Sequence, residues 1–126
     1  MAEPTNFDAI IIGGGPDGSS AATILAGHGH RVLIVEREKF PRYHIGESML
    51  PFCYGPLERL GLVAKMRASH FVKKFSVQFV SPSVKASQPF YFFNRYDRDT
   101  IASTWQVVRS EFDDLLLQHA RERGAM

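Results

Sequence analysis

Two short apolar runs stand out near the amino terminus: Ala9-Ile10-Ile11-Ile12 behind Asp8, and Val32-Leu33-Ile34-Val35 between Arg31 and Glu36. Neither alternates apolar with polar positions, and both are rich in β-branched residues, so each reads as a strand covered on both faces in a parallel sheet. The first run stops at Gly13-Gly14-Gly15-Pro16-Asp17-Gly18. Ser19 to Ala26 follows, a run of mostly small residues that lets a helix lie close to a sheet, and Gly27 and Gly29 end it. Strand, glycine turn, helix and strand within about thirty residues make a βαβ unit.

Beyond Glu36 the pattern loosens. Arg37 to Ser48 is polar and punctuated by proline, which predicts a loop. Met49 to Ala68 looks helical and carries Leu50, Leu57, Leu60, Leu62 and Met66 as apolar anchors, with Pro51, Pro56 and Gly61 cutting it into at least two pieces. Val72 to Val80 and Pro89 to Phe93 have strand character and are separated by turn-rich segments, which predicts a hairpin-like excursion. Thr104 to Val108 reads as a further strand. Ser110 to Arg121 reads as an amphipathic helix with acids early and Arg late, as the helix dipole favours, and Gly124 is its candidate C-cap. The fold class predicted is α/β, a βαβ unit with a β-rich excursion.

Composition narrows the function classes. With 126 residues, 44% hydrophobic and 22% charged, the chain is expected to form one globular domain at most. A net charge of +2 with scattered basic residues gives no dedicated surface for nucleic acid, and the aromatic residues sit in strand-like runs rather than between basic ones. No apolar run approaches the ~18 residues of a membrane span. The lone Cys53 and the absence of signal-peptide character in Met1-Ala2-Glu3-Pro4 make the cytoplasm the default. His28, His30, His44, His70 and His119 show no metal-ligand spacing with Cys53 or with paired carboxylates, so no metal is expected.

The chemistry lies in the glycines. Gly13, Gly15 and Gly18 occupy the G-x-G-x-x-G positions directly after a strand and at a helix start, the context that gives this motif its meaning. The first glycine permits the tight turn, the second lets backbone approach a pyrophosphate, and the third lets helix and strand pack, while the helix N-terminus offers N–H groups to phosphate. Glu36 ends the second strand, where an acid accepts hydrogen bonds from an adenosine ribose. Asp17 disagrees with this picture: at ~6 Å from a phosphate its repulsion is about 1–3 kcal/mol, unless its side chain turns to solvent.

Ile11-Ile12-Gly13-Gly14-Gly15-Pro16 through Glu36-Arg37, followed by Phe40-Pro41-Arg42-Tyr43-His44-Ile45-Gly46-Glu47-Ser48-Met49-Leu50-Pro51, resembles the flavin-dependent halogenases and their FAD-dependent oxidoreductase relatives. The second motif is the more specific. The resemblance implies a Rossmann-like FAD-binding fold, of which residues 1–126 would be the N-terminal part, with the remainder of that domain and a substrate domain outside this chain. It implies FAD rather than NAD, with the Gly46-Glu47-Ser48 loop along the flavin and Arg42 near the cofactor. Arg42 is suited to this as a forked donor to phosphate, Gly46 by allowing close approach, and Glu47 and Ser48 by their hydrogen-bonding groups. Thr104 to Asp113 is similar to a family segment in which a strand delivers an Arg to the cofactor before a helix; Arg109 holds that position, and Gln106 precedes it.

Phe71 to Phe79 is similar to the halogenase strand whose lysine faces the substrate and steers hypohalous acid, with Lys74 in register. Alternation alone explains the same residues, because Lys74, Ser76 and Gln78 share one face and Phe75, Val77 and Phe79 the other, as in a half-exposed strand without chemistry. The function implied is an oxidoreductase that uses reduced FAD and dioxygen to oxidise halide or hydroxylate a small organic substrate. A halogenase would require a partner flavin reductase and Lys74. A monooxygenase or reductase of the same fold would not need Lys74, and a non-catalytic nucleotide-binding fragment would turn nothing over. The family's Trp-x-Trp-x-Ile-Pro tract does not occur in these residues.

Overall fold

The structure is a computed structural model and describes residues 6–94 and 104–126, so the reading of Met1 to Pro4 falls outside the described residues. In chain order the elements are β1 (Ala9–Ile12), α1 (Pro16–Gly27), β2 (Val32–Val35), a 3-10 turn (Pro51–Cys53), α2 (Tyr54–Leu60), α3 (Val63–Ala68), β3 (Val72–Lys74), β4 (Ser76–Val77), β5 (Phe90–Tyr91), a second 3-10 turn (Phe92–Asn94), β6 (Thr104–Gln106) and α4 (Arg109–Glu122). They fall into two compact units, one of residues 1–46 and 108–126, the other of residues 47–107.

In the first unit β1 and β2 pair in parallel, Ala9 opposite Val32 through Ile12 opposite Val35, and α1 connects them. Asp8 fixes the entry to this register by accepting the backbone N–H of Arg31 at 2.7 Å and pairing with its guanidinium. Opposed residues share a face. Val32 is buried, and Ile11 and Ile34 pack with it against Ala22, Leu25 and Ala26 of α1 and Ala120 of α4. The small residues of α1 let it lie against both β2 and α4. The opposite face is largely open: Ile12 is 90% and Ile10 63% exposed, Val35 is exposed with them, and Leu33 alone of the four is half-buried. The expectation of strands covered on both faces is therefore met on one face only, since the helices of this unit all pack on the side of Val32.

α4 ends in a Schellman motif. Gly124 takes a φ of +106°, the N–H of Ala125 donates to Ala120 O at 3.0 Å, and that of Gly124 to Arg121 O at 2.9 Å. The reversed chain then meets β2, where the Met126 N–H donates to Val32 O at 2.9 Å and the Ile34 N–H to Met126 O at 2.7 Å. This is one rung of parallel pairing on the β2 edge.

In the second unit Gly61, at a φ of +76°, separates α2 from α3, while Pro56 is absorbed into the first turn of α2 without breaking it. Tyr54, Leu57, Leu60, Leu62 and Met66 are buried. The expected strand over Val72 to Val80 is two strands in two sheets. β3 pairs antiparallel with β6, Lys74 opposite Thr104, whereas β4 pairs antiparallel with β5, Ser76 opposite Tyr91. The exchange occurs at Phe75, whose carbonyl accepts the Phe92 N–H at 2.9 Å. Period-two alternation runs through the exchange unbroken, which is why the sequence pattern does not reveal it. The face expected to be apolar and buried carries Phe75 and Phe79, both exposed.

Candidate functional site

Gly13 turns the chain at the end of β1 with a φ of +106° and donates its N–H to Val35 O at 2.8 Å. Gly14 donates to Glu36 Oε2 at 2.7 Å, and Glu36 Oε1 accepts the Glu38 N–H at 2.8 Å. These donors, Gly14 foremost, hold the Glu36 carboxyl below its ordinary pKa. A Cβ on Gly18 would stand 1.9 Å from the Gly13 carbonyl oxygen, so only glycine allows this crossing of loop and helix. Ser19 Oγ donates to Gly14 O at 2.8 Å and closes the loop from the helix side. Gly15 is the N-cap of α1 without a side-chain cap, which leaves the first N–H groups of the helix without intrahelical acceptors. Asp17 in that first turn is exposed, the solvent-facing alternative foreseen for it.

The two arginines meet on one carboxylate that the sequence reading did not single out. Asp113 is 0% exposed; Arg42 Nη1 donates to its Oδ2 at 2.7 Å, and Arg109 donates from Nε to Oδ1 at 2.8 Å and from Nη2 to Oδ2 at 3.1 Å. Arg42 also pairs with Glu38 through Nε at 3.2 Å and lies over the Phe40 ring. Its Nη2 sits 3.5 Å from where a Gly15 Cβ would be, beside the glycine loop. Arg109 uses Nη1 to hold the carbonyls of Ile45 and Gly46, at 2.7 and 3.2 Å. Gly46 is needed there, because it has a φ of +105° and a Cβ would come within 3.0 Å of that Nη1. One signal could have found Asp113: it stands four residues after Arg109 on a helix, the spacing of facing ion pairs.

Glu47, Ser48, Lys74 and Gln106 lie in the second unit. Glu47 to Met49 is a strand-like segment beside β6 rather than the loop expected to run through Ser48: the Val107 N–H donates to Glu47 O at 2.8 Å, the Met49 N–H to Trp105 O at 3.1 Å, and Ser48 bridges Gln106. This pairing leaves Glu47, Ser48 and Gln106 exposed. Lys74 is half-buried; its Nζ donates to Ser48 Oγ at 2.5 Å and to Met49 O at 3.2 Å and stands 5.8 Å from the centre of the Phe92 ring. No carboxylate pairs with it among the described residues.

An open groove of about 870 Å³ runs by β2, lined by Leu33, Ile34, Leu117, Arg121 and Met126 among others, with Glu36 shared between it and the glycine loop. It follows the β2 edge that Met126 already pairs with, and so has the character of a strand edge more than of a ligand pocket. Among the described residues no three metal-ligating side chains come together, and no helix is long and apolar enough to cross a membrane. A dinucleotide fits the first unit on observation alone: the crossing that only Gly18 allows, the uncapped start of α1, the Nη2 of Arg42 beside Gly15 and the carboxylate of Glu36 are the parts a pyrophosphate and a ribose require.

Residues 8–106 match the family model described as tryptophan halogenase. The chain is 45% identical over 121 residues to flavin-dependent halogenase armH3 of Armillaria mellea, covering 96% of this chain and 23% of that protein. It is similar in structure to the myxobacterial chondrochloren halogenase CndH, a FAD-dependent halogenase, with a TM-score of 0.86 and 41% identity over 97% of this chain and 28% of that one. A flavoprotein/dehydrogenase from Cytophaga hutchinsonii gives a TM-score of 0.85 and 37% identity, over 94% and 29% of the two chains. These 126 residues thus span about a quarter of the length of the relatives they match.

Proposed function

The chain belongs to the tryptophan halogenase family, and from that membership we propose that it is the N-terminal part of the FAD-binding domain of a flavin-dependent halogenase. The observation that carries the reading is the glycine loop pinned to Glu36 by the 2.7 Å bond from Gly14, which presents the start of α1 and the strand-end carboxylate together. In this reading the pyrophosphate lies over Gly13, Gly15 and Gly18 with Arg42 as its cation, and Glu36 accepts from a ribose hydroxyl. Each Glu36 oxygen already takes one backbone N–H and keeps a second lone pair for that purpose. Arg109 acts on the cofactor through the Ile45–Gly46 turn that it holds.

Bound there and reduced by a partner flavin reductase, FAD would supply two electrons and halide two more in the reduction of dioxygen, giving water and hypohalous acid. Of the residues proposed for that end, Lys74 is the cation that receives and steers the oxidised halide, and Ser48 orients its ammonium group through their hydrogen bond. Glu47 and Gln106, exposed from adjacent strands, offer polar groups to the cofactor. The organic substrate is a small molecule. The likeness to a flavoprotein/dehydrogenase supports one second reading, a flavoenzyme of the same fold that does not halogenate and has no need of Lys74.

Calorimetric titration with FAD and NAD separately tests the cofactor. FAD is expected to bind and NAD to bind far more weakly; tight NAD binding without a response to FAD would overturn the reading.

A further inference from the structure

We propose that Asp113 is the positioning residue of the dinucleotide site, a fully buried carboxylate that aims Arg42 at the pyrophosphate and, through Arg109, fixes the Ile45–Gly46 turn. The inference rests on the FAD reading and goes beyond it, because Asp113 lies on α4, far along the chain from the glycine loop, and reaches no ligand itself.

The geometry points to this role in three steps. First, a carboxylate that is 0% exposed is costly to bury unless it is paired and hydrogen-bonded, and Asp113 accepts from Arg42 at 2.7 Å and from Arg109 at 2.8 and 3.1 Å. Second, the grip on Arg42 is directional. Nη1 is taken by Asp113 and Nε by Glu38, and Phe40 lies against the guanidinium plane, which leaves Nη2 as the end beside Gly15, with no acceptor among the described residues. A guanidinium held on two sides presents its remaining N–H groups in a fixed direction, as a lysine ammonium could not. Third, Asp113 takes up the Nε and Nη2 edge of Arg109, which leaves Nη1 to clasp the two carbonyls of the turn. One anion thus sets the direction of two cations, one toward phosphate and one toward the turn that carries Gly46.

The test is a double-mutant cycle read by ADP binding, with ADP standing for the pyrophosphate end of the cofactor. Arg42→Met and Asp113→Asn are each expected to weaken ADP by about tenfold, the scale of one charge-assisted hydrogen bond. If Asp113 acts through Arg42, the double variant is no weaker than the worse single one. A merely structural role would instead multiply the two losses, and that result, or wild-type affinity in Asp113→Asn, would overturn the proposal. Arg42→Lys gives an independent arm if Asp113→Asn does not fold. A point charge cannot serve Asp113 and phosphate together, so ADP should weaken while the thermal midpoint holds, and undiminished ADP affinity in Arg42→Lys would overturn the proposal as well. Wild-type protein that binds neither ADP nor FAD would overturn the dinucleotide reading and this inference with it.

Discussion

Glu36 shows how one residue can be legible in kind and not in detail. The sequence places an acid at the end of β2, twenty-three residues beyond Gly13, and the strand-end position is where a ribose acceptor belongs. It does not reveal that the same carboxylate binds the glycine loop's own N–H, a contact between residues made neighbours only by the parallel pairing of β1 and β2. That contact makes stability depend on pH. The Glu36 pKa is lowered from 4.5 in the folded protein by the Gly14 and then the Glu38 N–H. The stabilisation is therefore complete above the unfolded-state value and is lost as pH falls through the lower folded-state value. Glu36→Gln keeps an acceptor oxygen and removes the titration. Denaturant midpoints followed from neutral pH down through the carboxylate range are expected to fall less steeply in Glu36→Gln than in wild type; parallel curves would show that the Gly14 bond adds nothing to stability. Asp113 was not legible in the same way, because its meaning comes from Arg42, seventy-one residues earlier in the chain, and only its spacing from Arg109 is local.

At the scale of elements, the sequence is most informative where one unbroken pattern belongs to one partner. β1, α1 and β2 follow their runs to within about three residues at either end, and α4 fills the span read for it, because apolar periodicity and glycine punctuation agree there. The reading fails at Phe75, where alternation continues while the hydrogen-bonding partner changes from β6 to β5; side-chain period carries no information about which strand lies alongside. It fails again at Glu47 to Met49, whose pairing with Trp105 to Val107 is non-local and has no signature in a polar, proline-bounded stretch. Gly124 is the element-scale feature most open to measurement. At its φ of +106° any Cβ is strained, and the motif it completes delivers Met126 to the edge of β2. Gly124→Ala is expected to cost about 1–2 kcal/mol. An unchanged thermal unfolding midpoint would mean that the α4 terminus relaxes without loss of the β2 rung.

The residues proposed for cofactor and halide chemistry are divided between the two units, and that distribution leads to a prediction about activity. The residues proposed for the pyrophosphate and ribose, Gly13, Gly15, Gly18, Glu36 and Arg42, all belong to the first unit, whereas Lys74 and Ser48 belong to the second. Each unit leaves apolar surface in water: Ile10, Ile12 and Val35 in the first, Phe75, Phe79 and Phe90 in the second. Parallel sheets are ordinarily covered on both faces, and these residues span about a quarter of the relatives' length. Oxidation of halide by reduced flavin and dioxygen depends on a dry cavity, because water diverts the oxidising equivalents to hydrogen peroxide. The 126 residues on their own, supplied with reduced FAD, dioxygen, halide and a panel of aromatic substrates, are therefore expected to consume oxygen and release hydrogen peroxide, with no halogenated product. Peroxide and product are measured in the same reaction, for wild type and for Lys74→Ala. Equal peroxide from both is the expected outcome, since the role proposed for Lys74 is toward oxidised halide and not toward oxygen uptake. Halogenated product from the wild-type polypeptide, lost in Lys74→Ala, would overturn the prediction and show that the Lys74–Ser48 cluster works without further walls around it.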